Sequence, residues 1–494
     1  MTASPFPALI NASEKIALVE NDNSYTYGLV NERIDRFATG LLNGKADLDE
    51  ERIAFFIPAS LDYVTVMHGV WRAGGIAVPL NVASAVTELE HYLSCASVTR
   101  MVANGEYQES LRELCAELDI QLVSVDDILA PSAGNLPQID INRRAMMLFT
   151  SGTTNKPKGV VSSHKTLQAQ ITTLIDAWQW HSDDVIPLFL PLHHIHGIVN
   201  ILSCGLWAGA TVHLYSKFDI PKISQEVVAD TYTVFMAVPT IYVKLIQYFD
   251  SIDAATVTAI CDGFARMRLN ISGSAACPVK LFNQWENLTG QVLLERYGMT
   301  EIGMGISNPY EGERRAGYVG QPLPGVEIAL YDEYDSVILE EGSPGEIRVK
   351  GDNVFVEYWA NSQATAESFK DGWFCTGDVA VLESGYYRIM GRSSIDIIKS
   401  GGYKLSALEI EGVLLTHDAI AEVAVLGIPD ETWGESVTAF IGLKPGQTLP
   451  FDELKNWCSG RMSSYKIPKS IKIVDALPRN AMGKVTKPAL KTLL

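Results

Sequence analysis

A strand–helix–strand rhythm constrains this chain more than any other feature. Residues 52–57 (Arg-Ile-Ala-Phe-Phe-Ile) read as a buried strand, Leu61–Arg72 as an amphipathic helix, and residues 75–79 (Gly-Ile-Ala-Val-Pro) as a second strand. Strands alternating with helices predict a parallel α/β sheet. The rhythm returns at strand 101–103, helix 107–118, strand 121–125 and strand 233–238, so layered α/β structure is expected to about residue 390. From residues 345–350 onward, short strands with glycine-rich turns at Asp371-Gly372 and Ser384-Gly385 point to a small antiparallel part. A separable α+β unit begins near Arg392, with helix 407–416, strands 422–427 and 436–442, a helix near 451–463 and strand 469–474. The expected fold is therefore α/β: a large multi-layer N-terminal domain, 1–391, and a small α+β C-terminal domain, 392–494.

The chain's 494 residues exceed the size at which one core keeps growing, which also favours two domains. Its 39 Lys and Arg against 58 Asp and Glu give a net charge of −19, which argues against nucleic acid or an anionic membrane as partner. Each basic residue inside a motif gains weight as a result. Seven cysteines without a Cys-x-x-Cys pair suggest neither a zinc site nor a disulfide framework, and fit a reducing compartment. The N-terminal residues lack a signal or transit pattern, so a cytoplasmic location is expected. The longest apolar stretch, Gly197 to Leu214, carries His213 and glycines and reads as buried helix and strand. No obligate protein partner is evident.

After the apolar run 145–149 comes Thr150-Ser151-Gly152-Thr153-Thr154-Asn155-Lys156-Pro157-Lys158-Gly159. Small residues let a backbone approach phosphates, while the hydroxyls, amides and lysines supply donors and charge. Lys158 precedes its glycine and no Gly-x-x-x-x-Gly-Lys-Ser/Thr occurs, so this is not the ordinary P-loop.

That run resembles the signature loop of the adenylate-forming superfamily. Further motifs of the superfamily follow in order: Pro191 to Gly197, Ser272-Gly273-Ser274-Ala275, Tyr297-Gly298-Met299-Thr300-Glu301, Thr376-Gly377-Asp378, Gly391-Arg392, Lys399 to Gly402, and Pro478 to Lys484. The resemblance covers essentially the whole chain. It implies an acyl-CoA synthetase in which a carboxylate attacks the α-phosphorus of ATP, pyrophosphate leaves, and the thiol of CoA then takes the acyl group. Thr150, Ser151, Gly152, Thr153, Thr154 and Lys158 would hold phosphates, Thr300 would reach a phosphate oxygen, and Glu301 would help hold Mg²⁺. Tyr297 and the small residues Gly273, Ser274 and Ala275 would receive the adenine, and Ser272, Gly298 and Met299 belong to the same nucleotide site. Asp378, assisted by Arg392, would accept the ribose hydroxyls. By the same resemblance Lys484 bridges the carboxylate and phosphate during adenylation, and the C-terminal domain is a mobile lid. Ser394 is its hinge, where much of the superfamily has Asp or Lys, and Ser400, Gly401 and Gly402 serve CoA. His194 would gate the acyl pocket, with His196 nearby. The cluster His193, His194, His196 lacks a neighbouring Cys or carboxylate, which disfavours zinc.

Arg296 stands directly before Tyr297, and Leu294 to Glu301 is similar to the malonyl-CoA synthetase subfamily. Residues 177–180 (Ala-Trp-Gln-Trp), 238–242, 307–310 (Ser-Asn-Pro-Tyr) and 395–404 share that similarity. It implies malonate as substrate, since a guanidinium suits a second carboxylate bidentately. The other reading of Arg296 is a structural ion pair with a neighbouring acid such as Glu295. Lys244 stands where bacterial relatives often have Arg, and its part in recognising the acid stays open. Alternatives are a ligase for methylmalonate or another short dicarboxylate, an adenylation enzyme that loads a carrier protein, and a sensor without catalysis, which intact Glu301 and Lys484 disfavour.

Overall fold

The computed structural model describes residues 6–11, 13–150, 157–393, 395–400, 403–430, 433–479 and 485–493. Its central sheet has seven strands in the spatial order Glu357–Tyr358, Lys158–Ser163, Arg144–Thr150, Ile76–Pro79, Arg52–Phe56, Arg100–Ala103 and Gln121–Val123. The last five run parallel, as the rhythm predicts. Alternate residues of one strand feed different cores: Ile53 and Phe55 belong to the main apolar cluster, Ala54 and Phe56 to a second cluster on the other face. Both faces are covered, which is why these strands read as unbroken apolar runs. Helix Leu61–Arg72 forms at its expected bounds, with Ser60 accepting from the Tyr63 amide at 3.2 Å as the cap.

A second sheet, ordered Val234–Ala237, Leu269–Ser272, Leu294–Met299, Gly303–Ser307 and Gln321–Pro322, begins parallel and turns antiparallel after Leu294–Met299. A four-stranded sheet joins Val185–Leu188 and Thr211–Leu214 to the N-terminal hairpin. The antiparallel part starts earlier than expected, with Glu327–Tyr331 pairing Gly345–Lys350. The apolar stretch from residue 197 is less regular than expected: His196–Ser203 is wound as a π-helix with every residue buried, followed by helix Cys204–Ala208 and strand Thr211–Leu214. Such insertions are common near functional sites.

The C-terminal domain has two apolar clusters of its own, one around Ile398, Ile410, Val425 and Ile441, the other around Leu426, Phe440 and Leu490. Its elements are longer or shorter than expected but in the expected order: helix Ala407–Leu414, strands Ile420–Asp430 and Gly434–Leu443, helix Phe451–Cys458 and strand Ser470–Ile473. Among the described residues no helix is long and apolar enough to cross a membrane.

Candidate active site

The hairpin Arg144–Thr150/Lys158–Ser163 sets Thr150 opposite Lys158, both half-buried. The tip of the loop, Ser151, Gly152, Thr153 and Thr154, lies outside the described residues. Lys158 Nζ stands 4.7 Å from the ring centroid of Tyr358, which sits on the neighbouring strand, and the Tyr358 hydroxyl donates to Glu301 Oε1 at 3.0 Å. Glu301 is buried, and burial holds its carboxyl above the ordinary range against the pull of that hydroxyl. Nothing in the sequence motifs pointed to Tyr358.

Strand Leu294–Met299 carries the next group. Tyr297 donates its hydroxyl to Asp378 Oδ2 at 2.6 Å, while Arg392 Nε lies 2.9 Å from Asp378 Oδ1. Asp378 and Arg392 are cross-strand partners, so the pairing is set by sheet register. Burial raises the Asp378 carboxyl and Arg392 opposes it. Each Asp378 oxygen keeps acceptor capacity beside its protein contact, as a diol ligand requires. Gly298 leaves no room for a side chain, since a Cβ would overlap the Gly303 carbonyl. Met299 and Thr300, half-buried, follow at the turn beside Glu301.

Ser272 ends its strand buried; Ser274 and Ala275 are exposed beyond it. Ser274 adopts φ +66° and its Oγ is 3.0 Å from His196 Nδ1. Gly273 lies flat against Arg296, and any Cβ there would overlap the guanidinium. Arg296 is 5% exposed, and among the described residues its Nε and Nη2 have no hydrogen-bond partner. Burial pulls it down to about 9, with Tyr242 opposing, so it stays cationic at neutral pH.

The ion-pair reading of Arg296 with Glu295 fails on strand geometry. Successive strand residues point to opposite faces, and Glu295 Oε1 instead accepts from the Gly317 amide at 3.0 Å. Burial pushes Glu295 up to about 8, so it is largely uncharged at neutral pH. Lys244 lies exposed on helix Pro239–Phe249, whereas Tyr242 on its inner face donates to the Ile271 carbonyl at 2.8 Å. Opposite Arg296 in register is Ser307, whose Oγ accepts from Trp178 Nε1 at 3.0 Å, so stretches 177–180, 294–301 and 307–310 meet at one place.

His196 is buried with Nε2 unpartnered among the described residues; burial first, then Arg296, lowers it well below the usual value, leaving it neutral. His193 and His194 are half-buried with ring centroids 4.1 Å apart, and burial brings His193 down to about 3. Among the described residues no three His, Cys, Asp or Glu converge as a metal cage. The buried carboxylate of Glu301 fits Mg²⁺, which keeps its waters and binds through one or two carboxylates plus substrate phosphates.

On the C-terminal domain Ser400 is buried and pairs with Tyr403 and Gly434. Ser394, Gly401, Gly402 and Lys484 lie outside the described residues. An unforeseen cluster lies on the same domain: Lys487 Nζ contacts Asp396 Oδ1 at 2.6 Å and Glu411 Oε1 at 2.7 Å, and Asp396 Oδ2 accepts from the Arg392 amide at 3.0 Å.

Residues 9–359 match the AMP-binding enzyme family and residues 409–484 the AMP-binding enzyme C-terminal domain. The chain is 40% identical to a mitochondrial malonate–CoA ligase of Mus musculus, over 99% of this chain and 91% of that protein. It superimposes with a TM-score of 0.90, at 32% identity, on ATP-bound MatB from Rhodopseudomonas palustris, covering 100% of this chain and 99% of that one. A malonyl-CoA ligase solved with methylmalonyl-CoA and AMP bound shares 35% identity with a TM-score of 0.71, covering 96% of this chain and 100% of that one.

Proposed function

The chain belongs to the AMP-binding enzyme family, and from that premise we propose that it is an ATP-dependent malonate–CoA ligase that forms malonyl-CoA, AMP and pyrophosphate through a malonyl adenylate. The observation that carries the choice of acid is Arg296. A buried guanidinium with two unpartnered N–H groups carries a desolvation cost that a monocarboxylate would leave standing. A second carboxylate offset from the reacting one offsets it with two parallel hydrogen bonds. His196, neutral and one nitrogen short of a partner, faces the same space.

Around that acid the roles follow the chemistry. Asp378 receives the ribose hydroxyls, its orientation fixed by Tyr297 and Arg392. Thr150 to Thr154 and Lys158 hold the phosphates, with Thr300. Ser272 to Ala275 flank the adenine beside Tyr297. Mg²⁺, held by Glu301 and the phosphate oxygens, would neutralise charge as pyrophosphate departs. His194 gates the acyl pocket, and Lys484 draws the two anions together. The boundary at Arg392, the hinge at Ser394 and the CoA role of Ser400, Gly401 and Gly402 belong to the same reading, with the C-terminal domain turning between half-reactions. The match to the ATP-bound relative (TM-score 0.90) exceeds that to the product complex (0.71) although the latter is more similar in sequence, as a lid that changes position would give.

Methylmalonate is a second substrate reading, favoured by the relative solved with methylmalonyl-CoA. The test is pyrophosphate release across acetate, propionate, malonate, methylmalonate and succinate, each with and without CoA. Malonate should give the highest kcat/KM, and turnover should require CoA. Equal rates for propionate and malonate would exclude the dicarboxylate reading.

A further inference from the structure

The carboxylate read as the Mg²⁺ ligand and the lysine read as a phosphate contact sit on different elements, yet one buried side chain touches both. Tyr358 is 8% exposed; its hydroxyl donates to Glu301 Oε1 at 3.0 Å and its ring faces Lys158 Nζ at 4.7 Å. The backbone pins it in place. Tyr358 pairs with Val160, the Trp359 amide donates to the Gly159 carbonyl at 2.8 Å, and the Phe355 amide donates to the Glu301 carbonyl at 2.7 Å. The Phe355 ring packs against Tyr358 with centroids 4.8 Å apart.

The residue type matters to what each neighbour can do. A hydroxyl that donates to one carboxylate oxygen restrains Glu301 but leaves its charge and remaining lone pairs for a hard cation. An aromatic face attracts an ammonium without neutralising it, as a carboxylate would. Among the described residues Lys158 meets the Tyr358 ring and no acid, which leaves it free to meet an anion. We propose that Tyr358 is a positioning residue for Mg-ATP: it fixes Glu301 and Lys158 in one geometry before the nucleotide arrives. This rests on the reading of Glu301 as the metal's ligand.

The test is calorimetric binding of α,β-methylene-ATP to the full chain, titrated over Mg²⁺ and repeated in excess EDTA. In Tyr358→Phe the half-saturating Mg²⁺ concentration should rise about tenfold, the scale of one hydrogen bond to a charged group, with binding in EDTA unchanged. Tyr358→Leu, which also removes the face under Lys158, should weaken binding in EDTA by roughly threefold more. Glu301→Gln separates the two readings. If it raises the Mg²⁺ requirement and Tyr358→Phe does not, the positioning role falls alone; if neither does, the Glu301 reading falls and takes this inference with it. Equal losses in Mg²⁺ and EDTA for Tyr358→Phe, tracking a lower unfolding temperature, would reduce Tyr358 to packing and overturn the proposal.

Discussion

Arg296 and Lys487 are both buried cations, 5% and 8% exposed, and the protein treats them in opposite ways. Lys487 lies between two carboxylates, Asp396 and Glu411; burial alone would lower it, but the pair holds it above the usual lysine range. Arg296 has a flat glycine on one side, a neutral histidine nearby and unpartnered N–H groups, and burial lowers it. A cation closed by acids in the fold has nothing left to offer a ligand. One left open within a strand keeps its donors for something the chain does not itself contain. The contrast teaches that burial marks neither structure nor function until the partners are counted.

The largest effect that would sharpen the contrast is expected at the closed site. Lys487→Met leaves two carboxylates buried together and should destabilise the C-terminal domain by about 3–5 kcal/mol, measured by urea denaturation, without altering the ranking of acids as substrates. If acid selectivity changes instead, Lys487 is not merely internal to the fold. Arg296→Ala should do the reverse: stability changes little, while kcat/KM for malonate falls by roughly thirty- to several-thousand-fold, equivalent to about 2–5 kcal/mol, and the KM for ATP moves little. Steady-state kinetics with malonate and propionate side by side would break the comparison if both acids lost activity in equal proportion. Arg296→Lys should recover only part of the malonate rate, because an ammonium cannot make two parallel bonds.

The smallest effect concerns Glu295, the acid on the other face of the same strand. Its folded-state value is raised to about 8 from an ordinary 4.5, so it contributes stability fully at pH below 4.5 and loses it as pH rises through 8. Glu295→Gln stays neutral throughout. Thermal unfolding across pH 5 to 8.5 should therefore show the variant gaining on the parent as pH rises, and a constant offset would mean that Glu295 is charged and paired after all.

Much of this was legible in the sequence. Helix Leu61–Arg72 emerged at its expected bounds because Ser60 as cap and a following glycine agree, although it is buried on nearly all sides rather than amphipathic as expected, and the parallel strands were legible because burial on both faces leaves unbroken apolar runs. The site motifs were legible as short runs of distinctive residue types, and the structure brings Tyr297, Asp378 and Arg392 from three of them together. What escaped was contact between distant stretches. Tyr358 shows no pattern of its own; its meaning comes from Glu301, 57 residues earlier in the chain. The Asp396–Lys487–Glu411 cluster spans 91 residues between Asp396 and Lys487 and reads locally as ordinary surface charge. The π-helical winding of His196–Ser203 depends on packing that an all-apolar run does not encode, since such a run has no face to reveal its period.

The press of Gly273 against Arg296 has a consequence for how such a specificity can arise. In its observed place the arginine lies over a residue without a side chain, and a Cβ at position 273 would overlap the guanidinium carbon, so a larger residue there would push the arginine off its present position. The glycine by itself is compatible with a shorter side chain at position 296, so the coupling between the two positions runs in one direction. Going back is easier, because losing the arginine strands nothing. A designer wishing to move the trait into a ligase for simpler acids therefore has two positions to change together.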